Sequence, residues 1–515
     1  MTRTIRTALY GLLALFAAVF VVSTFFLRAE YNYGVYGDTA FLAGQKLGVY
    51  MPVLAVLLAS GWALYRLCRK LYRFRPQLVI PAVLAASFAV QTAIVFLFPL
   101  QPTADSKTVL SLAQDMLYDG DYSSFQLGGY LYMFPFNFSI ALYLNTLLAI
   151  FPDNYLVLKL FNMLFTLVTT LMVYLIHREL SGRKDSRDYG VLALAAFYPP
   201  SLFMVNYIYN DVLATALLAS SVYFLLRFVR GGGWKHLLVS AALLALGNYF
   251  RSIGAIVLIA AILYVWLSLG RLGARRGWAA VAVLAGLFFV PGLAQNGLLQ
   301  ATGIVDESPS ANSAPVYLWL NMGLNTETLG FWDERESYSI YQRQAGYDKE
   351  KSIELFKAEI GRKWTEATAA ELAETYYKKL VWTWTEGTYQ LERYGIGNDG
   401  TTGRHPLAAD YSYATFATER MKSDSPATTG LLWATYGMNA LLFAFAFVRL
   451  IGSLRKDRLD DVLPALVVLG FIGFYALWEI KSRYVFPVYP LLLVLAYAGF
   501  GDAYRRLFGR REGTA

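Results

Sequence analysis

The sequence predicts an all-α polytopic membrane protein, and three observations carry that prediction. Runs of about 18 or more apolar residues, enough to cross a hydrocarbon core as helices, recur along the chain. Only 16% of the 515 residues are charged, against about a quarter in an ordinary soluble domain. Lys and Arg gather in short clusters between the apolar runs, which is how a membrane protein records its orientation. The formal net charge of +9 therefore reports topology and implies no nucleic-acid partner.

Twelve spans are expected, at about 8–27, 47–68, 78–98, 155–176, 189–205, 211–229, 236–250, 253–270, 278–297, 429–450, 461–478 and 485–502. The first follows Arg3 and Arg6 and shows no small-x-small cleavage site, so it reads as a retained signal-anchor. A further apolar stretch, "PFNFSIALYLNTLLAIF" at 135–151, decides the parity. If it does not cross, one side receives Arg69, Lys70, Arg73 and Arg75, then Arg178, Arg183, Lys184 and Arg187, then Arg227, Arg230 and Lys235. Arg271, Arg275, Arg276, Arg449, Arg455, Arg505 and Arg506 join them there. The other side keeps scattered cations: Arg28, Lys46, Lys107, Arg251, Lys481 and Arg483. The positive-inside rule therefore lays 135–151 along the outer face, or has it dip in and return, and puts both termini in the cytoplasm.

The chain then divides into two leading spans over 1–77 and a membrane module over 78–297 with an outer loop at 99–154. A more polar extracytoplasmic segment at 298–428 is long enough for a small, mainly α domain. Closing spans and a basic tail occupy 429–515. Amphipathic helix spacing is expected over 106–118 and helix across 349–380, with a turn at "YDGDY" and loop over 395–430.

Charges at the outer rim are the candidates for chemistry. Asp105, in "PTADSKTV", follows the third span within one helical turn. It reads either as the N-cap of helix 106–118 or as a general base sheltered from bulk water. Asp38, in "VYGDTAF", is a rival acid or a turn residue. Asp211 closes "NYIYND" and either caps the next span or holds a hydroxyl or a cation. "WEIKSRYVFPVYP" at 478–490 places Glu479, Lys481, Arg483 and Tyr484 in a tight outer loop. Its cations either snorkel or clamp a phosphate, onto which Arg forks well. Arg251, in "NYFRSIG", has the same two readings.

Other chemistries lack their residues. There is no Walker sequence, and "RGGGWK" at 230–235 lacks the strand and helix of a dinucleotide fingerprint. One cysteine, Cys68, excludes an internal disulfide. His177, His236 and His405 have no metal-ligand spacing. An outer-face site without nucleotide machinery needs an activated substrate delivered through the membrane, and lipid-linked phosphate donors meet that need.

The order of motifs resembles the GT-C superfamily of integral-membrane glycosyltransferases, in its family 39-type branch of protein mannosyltransferases and aminoarabinose transferases. The resemblance covers about 78–500 and rests on "PTAD", "YLYMFPFNFS", "HREL", "YPPSLFMVNYIYND", "WLNMGLN" with "GFWD", and "EIKSRYVFPVYP", in that order. It implies transfer of a sugar from a polyprenyl-phosphate donor to an acceptor hydroxyl on the outer face, with inversion. The acceptor would be a wall polymer, glycolipid or protein of the cell envelope. Asp105 matches the family's base, and Arg483 with Lys481 matches the cationic element near the lipid phosphate. Asp211, Arg251, Glu479 and Tyr484 are then expected to bind substrate. Ser106 stands where many members carry a second acid, so a divalent cation is admissible rather than required. A lipid-linked sugar flippase and an O-antigen ligase-like enzyme with a pyrophosphate donor are the alternatives. Transporters place ionisable groups near mid-membrane, often in repeats, and no repeat is visible here.

Overall fold

The structure is a computed structural model that describes residues 2–33, 39–182, 187–397, 403–456 and 459–508. Asp38, Arg183 and Lys184 lie outside the described residues. Among the described residues eight helices are long and apolar enough to cross a membrane: Arg3–Ser23, Leu47–Arg73, Pro76–Leu97, Tyr155–Ser181, Asn210–Val229, Ala274–Ala301, Pro426–Arg455 and Ser482–Phe508. The remaining four expected spans are shorter or interrupted. Trp234–Phe250, Gly254–Leu267 and Val462–Leu477 have 17, 14 and 16 residues. At 1.5 Å per residue they rise about 21–26 Å, less than a hydrocarbon core of about 30 Å.

The expected span 189–205 is broken. Gly190–Ala196 stops before Pro199 and Pro200, and Pro199–Phe203 and the 3-10 turn Met204–Asn206 follow. Proline lacks the N–H that a helix needs and disfavours helical backbone in the residue before it. The backbone groups released by the break find side-chain partners, as they must at membrane depth. Ser87 Oγ donates to the Ala196 carbonyl at 2.7 Å. Asn162 Nδ2 donates to the carbonyls of Val205 at 3.2 Å and Tyr207 at 2.9 Å.

The helix expected over 106–118 runs instead from Asp105 to Gln114, continues as the π turn Asp115–Asp119, and stops at Gly120, whose φ is +61°. The 135–151 stretch forms a 3-10 turn and the 13-residue helix Phe138–Ile150. That helix rises about 20 Å, and Asn145 ties it to the Asp105–Gln114 helix by donating to the Ala113 carbonyl at 3.1 Å.

One element had no counterpart in the sequence reading. Leu27–Asn32 pairs antiparallel with Thr39–Gly44, Leu27 opposite Gly44. The 349–380 helix is two helices, Lys349–Glu366 and Ala369–Thr385, and Thr368 with Glu371 forms a capping box for the second. Trp382 and Trp384 of that second helix are buried in the main core of the bundle, and Trp382 Nε1 donates to the Glu30 carbonyl at 3.1 Å. This joins the polar segment to the hairpin and so to the membrane helices.

Candidate functional site

Four charges from four chain segments meet at one end of the bundle. The first is set by the loop after Pro76–Leu97. Tyr155 Oη and Lys159 Nζ both donate to the Leu100 carbonyl, at 3.0 and 3.2 Å. Ala104 then takes φ +48°, ψ −133°, a backbone conformation that side-chain-bearing residues rarely adopt. The Asp105 helix starts at once behind it.

Asp105 is the first residue of its helix, and no side chain caps that helix. The N-cap reading is therefore corrected: the cap position belongs to Ala104. The Asp105 carboxylate points elsewhere. Its Oδ1 accepts from Tyr130 Oη at 3.3 Å and its Oδ2 from Arg483 Nη2 at 3.1 Å. Ser106 Oγ donates to the Ile208 carbonyl at 2.7 Å, pinning the "NYIYND" loop beside it.

Arg483 is 2% exposed at its side chain and reaches Asp211 Oδ2 with Nη1 at 3.1 Å. Asp211, fully buried, also forms an ion pair with Arg251. Arg251 Nη1 donates to Asn210 Oδ1 at 3.0 Å. The result is a row of alternating sign: Asp105, Arg483, Asp211, Arg251. Tyr207, Tyr209, Tyr394 and Tyr484 surround the Arg483 guanidinium, their ring centres 5.2–5.4 Å away. Aromatic faces attract a desolvated cation in this arrangement. The Nε atoms of Arg483 and Arg251 are buried without a hydrogen-bond partner.

The segment bearing Arg483 is held by its backbone. Glu479 N donates to the Trp319 carbonyl at 3.1 Å and Ile480 N to the Gly330 carbonyl at 2.8 Å. A Cβ at Gly323 would lie 2.1 Å from the Leu477 carbonyl, so this approach requires glycine. Ser482 Oγ accepts from Tyr31 Oη of the hairpin at 2.9 Å.

These groups open into a cavity of about 1270 Å³, beyond the roughly 300–1,000 Å³ of a usual small-molecule pocket. Asp105, Arg251, Glu479, Lys481, Arg483 and Tyr484 all line it. Asp211 does not; it lies sealed behind, with both arginines on it. Among the described residues the Lys481 side chain makes no hydrogen bond or ion pair. Glu479 is 2% exposed and accepts from Tyr484 Oη at 3.2 and 3.3 Å. Burial pushes its carboxyl up to about 7 against the pull of Lys481 and Arg483. Aromatic side chains line the cavity as well, with Trp319 stacked on Trp478 at 5.7 Å.

Among the described residues no group of three or more His, Cys, Asp or Glu could hold a metal ion. The cation between the two aspartates is the guanidinium of Arg483.

The sequence reading missed the second layer. Tyr209 Oη donates to Asn137 Oδ1, and Asn137 Nδ2 to Tyr130 Oη, both at 2.8 Å, a relay that ends on Asp105. All three residues sit inside motifs quoted above, "YLYMFPFNFS" and "NYIYND", but neither periodicity nor charge singles them out. Lys379 was missed too. It is completely buried on the Ala369–Thr385 helix and donates to the Gly323 carbonyl at 2.6 Å. Burial pushes its ammonium down to about 7.

Fold and site together define a polytopic helical membrane protein with a charged, aromatic-walled cavity at one end of its bundle. Residues 138–294 match the family model described as Dolichyl-phosphate-mannose-protein mannosyltransferase, and this match supports a membrane glycosyltransferase of the GT-C superfamily. The matched stretch contains Asp211 and Arg251; Asp105 and the 479–484 segment lie outside it. A search of curated proteins returns no match.

Proposed function

We propose that the cavity transfers a sugar from a polyprenyl-phosphate donor to an acceptor hydroxyl on the outer face of the cell membrane, with inversion. The observation that carries this reading is the pair of Asp105 and Arg483 at the cavity wall. The Asp105 side chain is 37% exposed while its partner guanidinium is almost sealed. A carboxylate so placed faces the cavity, where a hydroxyl can reach it, while Arg483 and Tyr130 fix its two oxygens.

Asp105 takes the acceptor proton as the acceptor oxygen bonds to the anomeric carbon. The bond from that carbon to the phosphate oxygen breaks, and its electron pair leaves with polyprenyl phosphate. Lys481 and the guanidinium groups of Arg251 and Arg483, which line the cavity, stabilise the departing charge, and a preorganised site does so without reorganisation. Asp211 positions both arginines rather than touching substrate. Trp319, Trp332 and Lys349, from the segment 298–428, also line the cavity and select the acceptor. The asymmetry of the lysine and arginine clusters supports an orientation with this end outside and both termini in the cytoplasm.

The test is transfer in proteoliposomes from a short-chain prenyl-phosphate sugar. Asp105→Asn abolishes transfer and leaves donor affinity near wild type. Retention of most of the activity overturns the assignment of the base.

A further inference from the structure

The proposed transfer has a proton to place at both ends. The donor diester carries one negative charge at its phosphate. Breaking the carbon–oxygen bond leaves a monoester with two, and a phosphate monoester takes up its second proton at about pH 6. The acceptor proton, meanwhile, has gone to Asp105. A group that hands a proton to the leaving oxygen removes the second charge as it forms.

Glu479 fits that task by its place. It lines the same cavity, two residues before Lys481 and four before Arg483, the cations assigned to the phosphate. It is 2% exposed. Among the described residues its carboxyl oxygens meet no cation within ion-pair distance; Tyr484 Oη alone bonds them. Asp105 differs, having a guanidinium and a phenol on its two oxygens. The titratable and charged groups that face Glu479 are Lys481, Arg483 and Tyr484 on its own segment. Tyr475 of the Val462–Leu477 helix, Lys379 of the Ala369–Thr385 helix and Asp105 face it from the neighbouring elements. Burial outweighs the cations among them, so the acid form persists to about pH 7. Of the three carboxyl groups that line the cavity, Glu334 is exposed, Asp105 is paired with a cation and Glu479 is buried without one; the last two are the arrangement that divides base from acid.

We propose that Glu479 is the acid of the reaction, donating its carboxyl proton to the phosphate oxygen as the bond to the anomeric carbon breaks. The inference rests on the transfer reading above. The balance closes without a further reactant: the acceptor proton goes to Asp105, the Glu479 proton to the phosphate. The proton on Asp105 returns to Glu479 through the cavity after the products leave. The net change is one proton moved from alcohol to polyprenyl phosphate. Tyr484, bonded to both carboxyl oxygens, is a positioning residue.

The test measures single-turnover transfer against pH with the full chain in proteoliposomes and a short-chain prenyl-phosphate sugar, and donor affinity separately. Wild type loses rate as pH rises through about 7. Glu479→Gln falls roughly 10–100-fold at pH 6.5, keeps donor affinity within about twofold, and loses the alkaline fall. Glu479→Asp regains part of the rate together with the alkaline fall. A Glu479→Gln protein with wild-type rate and an unchanged alkaline fall overturns the proposal. If that variant does not fold, Tyr484→Phe takes its place: a moved alkaline limb with unchanged donor affinity supports the role, and an unmoved limb refutes it. Asp105→Asn separates the two readings. If it is inactive while Glu479→Gln is unimpaired, proton donation alone fails; if it is active, the transfer reading fails first.

Discussion

Nη2 of Arg483 lies 3.1 Å from Oδ2 of Asp105, across 378 residues of sequence. The guanidinium aims the carboxylate, and Asp211 on its other amino group keeps the guanidinium from following Asp105 into the cavity. Orientation and anchoring therefore come from different acids.

That division gives Asp105→Asn a clean phenotype. The variant keeps the Arg483–Asp211 pair and so keeps its fold. Transfer falls by about 100-fold or more, as loss of a general base requires. Single-turnover kinetics beside a thermal melt check both halves; a melting point lowered as far as that of an Arg483 variant would falsify the anchoring argument.

Arg483→Met should be the most destabilising change at the site. It leaves Asp211 fully buried with Arg251 alone, and removing one partner of a buried pair costs about 3–5 kcal/mol. Arg483→Lys keeps the charge, but an ammonium cannot fork onto two carboxylates as a guanidinium does. Thermal unfolding in detergent should rank wild type above Arg483→Lys and Arg483→Lys above Arg483→Met.

Ala104 tests how Asp105 is aimed. Its φ of +48° suits glycine and penalises branched side chains. Ala104→Gly is expected to fold and stay active. Ala104→Val is expected to lose activity by displacing the start of the Asp105 helix, with donor binding retained. Equal activity in the two variants would mean that the backbone turn does not position the acid.

Lys379 supplies a pH signature in stability. Its folded value of about 7 lies below its ordinary 10.5, so the unfolded chain binds more protons between those limits. The stability it contributes is complete above 10.5 and is lost as pH falls toward 7. Wild-type stability minus that of Lys379→Met, from melts at stepped pH, should rise across this window. A flat difference would show that the ammonium stays charged when buried.

Much of the scaffold was legible because apolar runs are long and their flanking charges asymmetric. The break at 198–200 was written as Tyr-Pro-Pro, but a hydropathy window averages over two prolines. The hairpin at 27–44 was hidden in an interval that reads as a mixed loop between spans, since its pairing depends on Tyr31 meeting Trp382 from far along the chain. Each charge of the site was visible as an oddity at the rim. Their alternation was not, because contact over hundreds of residues leaves no local pattern. For the same reason the reading of Asp211 did not foresee the two arginines that hold it, and the cap reading of Asp105, given beside its reading as a base, did not foresee the turn at Ala104 that moves it one place into the helix.

The interrupted segment 190–206 also bears on how the chain is made. A translocating chain emerges amino end first. Ser87 and Asn162, which donate to the loose carbonyls of that segment, belong to helices completed before it leaves the ribosome. The slot exists before its occupant arrives. Exchanging the order of these helices in a permuted chain would ask the prolines to enter lipid with their carbonyls bare, so the sequence order of the spans is itself part of what lets a broken helix be built into a membrane.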